Sequence, residues 1–181
     1  GALYRAALAF ALEELGYEVV RNENNFELAH VPQSIIKQFS KRRQEIEGFL
    51  NELGARGATA SEKVAIFSRQ HKDHLPRKIL KEKWRKEAQE FGWTNQQKTD
   101  LTHQPPISHD ELEVMIHAKL SAEISTETAT KQKSTFSERD AIRFAAELAP
   151  GTGLDVEQII NSVRHHLEHS PNVVSLVDIN N

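Results

Sequence analysis

Leu15-Gly16-Tyr17-Glu18-Val19-Val20-Arg21, Asn22-Glu23-Asn24-Asn25 and Phe26-Glu27-Leu28-Ala29-His30 together form the stretch that decides the fold class. Before it, Leu3, Ala7, Phe10, Ala11 and Leu15 recur at helical spacing, and Gly16 stands where a left-handed helix cap is wanted. Within it, two alternating runs flank an Asn-rich turn, which reads as a β-hairpin. After it the apolar period returns to that of helices. The expected fold is mainly α, with a short β-hairpin near the N-terminus and a terminal strand, built as two small helical units.

Pro32 opens a long helix with Ile35, Ile36, Phe39, Ile46, Phe49, Leu50 and Leu53 on its apolar side, and Gly54 and Gly57 end it. Thr59-Ala60-Ser61-Glu62 has the form of a capping box ahead of Val64, Ile66 and Phe67. Pro76 precedes a helix with Leu80, Trp84, Ala88 and Phe91 inward and Gly92 as its stop. The polar stretch 94–106 ends in Pro105-Pro106 and reads as a linker between units at 1–93 and 107–181. A second capping box, Ser108-His109-Asp110-Glu111, starts a helix carrying Leu112, Met115, Ile116 and Leu120. Thr126 to Thr135 has no apolar side chain larger than Ala and reads as a loop or frayed end. Ser137 and Asp155 cap two further helices, the second with Val156, Ile159, Ile160, Val163 and Leu167 at helical spacing. Val173, Val174, Leu176 and Val177 are expected to form the terminal strand, giving a winged-helix-like unit with an incomplete wing.

The composition fits a soluble chain with a modest core: 181 residues, 38% hydrophobic and 27% charged. No apolar run approaches the ~20 residues of a membrane-spanning helix. The absence of Cys excludes a disulfide framework, a zinc ribbon and a thiol nucleophile. A mean hydropathy of -0.56 and the lack of a basic-then-apolar leader make a cytoplasmic setting the default expectation. The chain opens without Met and already inside a helical pattern, so it is expected to be a piece of something longer.

A net charge of -3 hides a segregation. From Gln33 to Trp93 there are 14 Lys/Arg against 8 Asp/Glu, while the remainder holds 9 basic and 18 acidic residues. A basic middle third can fit nucleic acid as a partner, but on charge alone a solvated Lys-rich helix face is the preferred reading. Lys41-Arg42-Arg43 lies beside Phe39, and guanidinium groups fork onto phosphate oxygens and stack on bases. Arg69 with Lys72, and Arg77 with Lys78, are weaker candidates on the same electrostatic grounds. Trp84 is read as core, and Trp93, just past the Gly stop, as packing on the domain end, with stacking on a base as the alternative. The helix from Val156 to His169 sets Arg164 against Asp155, Glu157 and Glu168, which suits packing better than duplex reading.

No catalytic residue is assigned. Tyr4 and Tyr17, the two tyrosines, have no neighbouring base or metal-bound phosphate in the sequence and are read as packing residues. His165 and His169 are four apart and His71 and His74 three apart, but a third ligand is not evident, so no metal site is assigned.

These segments, in this order, resemble the MobF-type conjugative relaxases, the TrwC/TraI family. Leu3-Tyr4-Arg5, Leu15-Gly16-Tyr17-Glu18, Phe26-Glu27-Leu28 and Val31-Pro32 carry the match, with Phe39-Ser40-Lys41-Arg42-Arg43-Gln44-Glu45-Ile46 as its most specific block. Ser68-Arg69-Gln70-His71-Lys72 resembles the family less closely, and Trp84-Arg85 and Phe91-Gly92 close a resemblance that covers 1–93. Residues 107–178 are similar, more loosely, to the segment that joins relaxase to helicase, through Phe136-Ser137-Glu138-Arg139-Asp140. The resemblance implies that a tyrosine and a three-histidine metal site lie upstream of this chain and an ATP-driven motor downstream, with divalent metal and ATP belonging to the parent protein and neither to this fragment. It implies that these helices close over single-stranded DNA as a lid, and that Arg5 lies at a position that contacts the strand.

The expected function is single-stranded DNA clamping for site- and strand-specific nicking-joining at a transfer origin, through Arg5, Lys41, Arg42, Arg43, Arg69 and Lys72. No activity is expected of the fragment alone. Its expected partners are single-stranded DNA and the rest of a relaxase-helicase chain, with no membrane segment. Self-association through the apolar face of its first helix is a further expectation. The alternative is a helical protein-interaction module with no DNA role.

Overall fold

A computed structural model describes residues 1–23, 25–67, 76–102 and 104–176. Among them run α1 (Ala2–Glu14), β1 (Val19–Asn22), β2 (Asn25–Leu28), α2 (Gln33–Phe39), α3 (Lys41–Glu52), α4 (Ala58–Phe67), α5 (Arg77–Glu90), α6 (Asn95–Thr102), α7 (Glu111–Gln132), α8 (Glu138–Leu148) and α9 (Val156–His169). The fold is mainly α with one antiparallel hairpin, whose register pairs Val19 with Leu28 and Arg21 with Phe26.

Two compact units divide the chain, Gly1–His30 with Asp100–Asn181, and Val31–Thr99. These cuts differ from the boundaries 1–93, 94–106 and 107–181. The reason is the packing of α1 on α8 and α9, together with a backbone bond from Ile107 N to Glu13 O at 2.9 Å. The polar stretch expected as a linker contains α6.

The first unit holds the larger core. Ile159 and Val163 of α9, both fully buried, pack among Ala2 and Ala6 of α1, Ala122 of α7, and Ala141 and Ala145 of α8. Ser137 and Asp155 cap α8 and α9 as the sequence indicates, each in a full capping box closed by Asp140 and Gln158. Gly16 takes φ +85° after α1, and backbone carbonyls of Gln104 and Pro105 occupy the space a Cβ would need.

Several local expectations give way. The buried face of α1 is Ala2, Ala6, Ala9 and Glu13, while Ala7, Ala11 and Leu15 are exposed. Small side chains let the helix backbones approach, so an alanine stripe wins over the larger apolar one. The Thr-rich run from Thr126 is helical to Gln132. Its hydroxyls bond back onto the helix, Thr128 Oγ1 to Ile124 O at 2.7 Å and Thr130 Oγ1 to Thr126 O at 3.0 Å. The N-cap of α7 is Asp110, accepting from Leu112 N and Glu113 N, in place of the Ser108 box. Residues 173–176 form no strand: the sheet among the described residues is β1–β2 alone, and they do not pair with it. The winged-helix reading therefore loses its wing there, and Val177 lies outside the described residues.

In the second unit, the helix expected from Pro32 to Leu53 is two. Ser40, with ψ +41°, ends α2 and starts α3, and its hydroxyl donates to Ile36 O at 2.7 Å. Ile35, Val64 and Ala88 are its buried apolar residues among those described. Phe49, Leu53 and Phe91 stay exposed.

Glu13 is an acid inside the first unit, 5% exposed, with His109 Nε2 3.1 Å from its Oε1. The imidazole of His109 lies where a Cβ on Gly153 would stand, at φ +72°. Burial pushes the Glu13 carboxyl above its ordinary value of 4.5, and the His109 charge and hydrogen bond only partly offset that. A raised carboxyl binds protons in the folded state that the unfolded chain has already released. Its stabilising contribution is therefore present below 4.5 and lost as pH climbs through the raised value. Wild type should lose unfolding free energy over that climb, and Glu13→Gln should flatten the dependence in urea titrations taken at several pH values. Ile159→Ala should cost about 2–5 kcal/mol in the same assay, because it empties a filled site.

Candidate nucleic-acid interface

The block that begins α3 is exposed but not idle. Lys41 Nζ pairs with Glu87 Oε1 of α5, and Gln38 Nε2 donates to the same oxygen at 2.8 Å. Arg42 reaches Glu45 at 3.0 Å and the Ala65 carbonyl of α4 at 2.5 Å. Arg43 bonds Glu47 at 2.6 Å. Each cation of the block thus sits on a carboxylate of its own unit. Arg5 belongs to the other unit and stands 3.9 Å from Glu147 of α8, a long and loose pair. Arg69 and Lys72 lie outside the described residues, as do His71 and His74.

Glu87 is the hub that joins α2, α3 and α5. Hydrogen bonds from Lys41 and then Gln38 hold its carboxyl below its ordinary value. Its second oxygen, Oε2, is buried with no hydrogen-bond partner among the described residues.

The larger cationic surface is α5. Arg77, Lys78, Lys81, Lys83, Arg85 and Lys86 are all exposed. Among the described residues no ion pair ties Arg77, Lys78, Lys81, Arg85 or Lys86 to a carboxylate. Arg77, Lys81, Trp84, Arg85 and Ala88 fall at i, i+4, i+7, i+8 and i+11, so they share one face. Trp84, expected in the core, is 49% exposed on that face. A helix with three cations beside its tryptophan cannot bury that ring without desolvating charge. The signal was in the spacing, which places Lys81 and Arg85 on the flanks of the ring.

Tyr4, expected to pack, is 69% exposed. His165 and His169 stack ring on ring at 4.2 Å, and His169 Nδ1 lies 2.9 Å from the His165 carbonyl oxygen. Among the described residues no three His, Asp or Glu side chains group to hold a metal. Arg164 is engaged by Glu138 at 2.8 Å. No helix among the described residues is long and apolar enough to cross a membrane.

A family model described as TrwC relaxase matches residues 1–91, spanning the hairpin, the Lys41–Arg43 block and α5. The chain belongs to the TrwC relaxase family. No curated protein and no solved structure gives a significant match. Membership gives the chain a conjugative-relaxase role, and DNA is the partner class of a relaxase.

Lys41→Met should release Glu87 from its first restraint. In carbon-detected NMR titrations the Glu87 carboxyl midpoint should move up toward 4.5, while Arg43→Met, which breaks a separate pair, should leave it in place.

Proposed function

We propose that this chain supplies the single-strand clamping and positioning part of a nicking-joining relaxase that acts at a transfer origin, within a longer relaxase-helicase. The observation that carries this reading is the exposed cationic face of α5 in a chain of the TrwC relaxase family. Cations without carboxylate partners gain most from a phosphate backbone, because each contact releases a condensed counterion. Lys41, Arg42 and Arg43 would bind by exchange, giving up carboxylates for phosphates. Exposed ion pairs are worth only about 0.2–1 kcal/mol, so the exchange is cheap for Arg42 and Arg43, whereas Lys41 has a mostly buried partner and gives up more. Arg5, Arg69 and Lys72 are further phosphate contacts in this reading. Divalent metal and ATP belong to other parts of the longer protein, and no bond-breaking step is assigned to residues of this chain.

A second reading, a helical interaction module with no DNA role, is favoured in the first unit by one observation. Leu112, Ile116, Leu120 and Ile124 recur every fourth residue along α7 and are 63%, 48%, 45% and 44% exposed. Such a stripe suits another helix, or a second copy of this chain.

Fluorescence anisotropy of a labelled ~20-nucleotide single strand tests the first reading. If about four phosphates are neutralised, affinity should fall about fifty-fold between ~50 and ~200 mM salt. Arg42→Ala with Arg43→Ala should weaken low-salt binding and reduce the salt slope by about 1.4. A double variant that binds as wild type removes these two residues from the interface. Absence of single-strand binding at ~50 mM salt, together with salt-independent self-association in light scattering, favours the module.

A further inference from the structure

Beneath the cationic face of α5 the second unit has a shallow cleft of about 530 Å³. Phe39 of α2, Trp84 of α5 and Trp93 line it, and Lys81, Arg85 and Lys98 stand among its lining residues. No carboxylate lines it. Lys81, Arg85 and Lys98 have no ion pair among the described residues. Phe39 and Trp84 keep 40% and 49% of their surface exposed.

We propose that this cleft receives an unpaired nucleobase of a single strand, stacked against Trp84 and Trp93, while Lys81, Arg85 and Lys98 hold the flanking phosphates. The proposal rests on the clamp reading and names where in the second unit the strand is gripped. The chemistry of the cleft is what selects the occupant. Half-exposed aromatic rings want a flat apolar face, and unpaired cations beside them want anions spaced along a flexible backbone; a single strand supplies both. A duplex presents base edges and keeps its flat faces stacked inside, so it satisfies the cations and leaves the rings unused. Glu87 of α5 is held by Lys41, and with no carboxylate in its lining the cleft is net positive.

Trp84 and Trp93 are the only tryptophans of the chain, so intrinsic fluorescence reports directly on the cleft. The full chain is titrated with oligo(dT) of ~12 nucleotides, with a duplex of equal length and with poly-glutamate. Strand anisotropy is followed in parallel. Single strands should quench the tryptophan emission, and duplex and poly-glutamate should leave it nearly unchanged. Trp84→Leu should weaken strand affinity by about tenfold with an unchanged salt slope, and Trp84→Phe, which keeps a ring, should recover most of it. Lys81→Gln with Arg85→Gln should instead lower the salt slope by about 1.4. Binding by anisotropy without quenching, with Trp84→Leu equal to wild type, overturns the cleft and leaves the clamp reading standing. No strand binding by anisotropy overturns both. Quenching by poly-glutamate as strong as by oligo(dT) overturns the nucleobase in favour of an acidic peptide. The wild-type quench decides the matter even if a Trp84 variant fails to fold.

Discussion

Close approach between alanine-lined helix faces is the constraint on which the first unit depends. Its core contains few large side chains, with Ile159 and Val163 buried among Ala2, Ala6, Ala122, Ala141 and Ala145. An alanine contributes little apolar area, so such a core is stable only where backbones come near enough for dispersion contacts to be dense. That proximity in turn dictates what polar groups in the seam must do. Ser125, fully buried on α7, closes its hydroxyl onto Ala122 O at 2.8 Å, and Ser121, one turn earlier, and the adjacent Thr126 bond back onto the helix in the same way. The capping boxes at Ser137 and Asp155 fix where α8 and α9 begin, and so fix the register of the seam.

The second unit is built on the opposite principle. With Ile35, Val64 and Ala88 as its buried apolar residues among those described, it leans on polar ties such as the Glu87 hub and the Arg42 link to Ala65. Aromatic surface that a larger core would absorb stays half exposed at Phe39 and Trp84. Trp84 and the α5 cations Arg77, Lys81 and Arg85 occupy one face because helical spacing leaves them no alternative. A weak core and a charged aromatic surface are two consequences of one composition, in which Lys and Arg take positions that a core helix would give to Leu.

How much of this was legible depended on side-chain size and hydroxyl chemistry. The hairpin at Val19–Leu28 and the caps at Ser137 and Asp155 could be read because alternation and capping are local signals. The buried face of α1 could not. Alanine counts for little in any apolar pattern, and the exposed Ala7, Ala11 and Leu15 drew the stripe off the buried face, although Leu3 does pack against the core. The helix through Thr126–Gln132 was hidden by its polar composition, because back-bonding hydroxyls are visible only once the neighbouring helices are in place. The break at Ser40 looks like an ordinary helix position in the sequence, since neither Pro nor Gly marks it. Of the candidate site, charge and the Lys41–Arg43 block were readable, but their carboxylates were not. Glu45 and Glu47 follow at helical spacing, whereas Glu87 comes from 46 residues away.

That last difference bears on how a strand would be gripped. The local pairs of Arg42 and Arg43 form within one helix and can exchange a carboxylate for a phosphate, with Arg42 keeping its Nη2 bond to Ala65 O of α4. Lys41 is different, because its partner Glu87 also holds Gln38 and is itself mostly buried. Withdrawing Lys41 would leave an acid short of one donor beside an oxygen already unpartnered. Lys41 therefore serves the joint between α3 and α5 before it serves a ligand. The arginines beside it and the unpaired cations of α5 are the residues whose charge is available to a phosphate backbone.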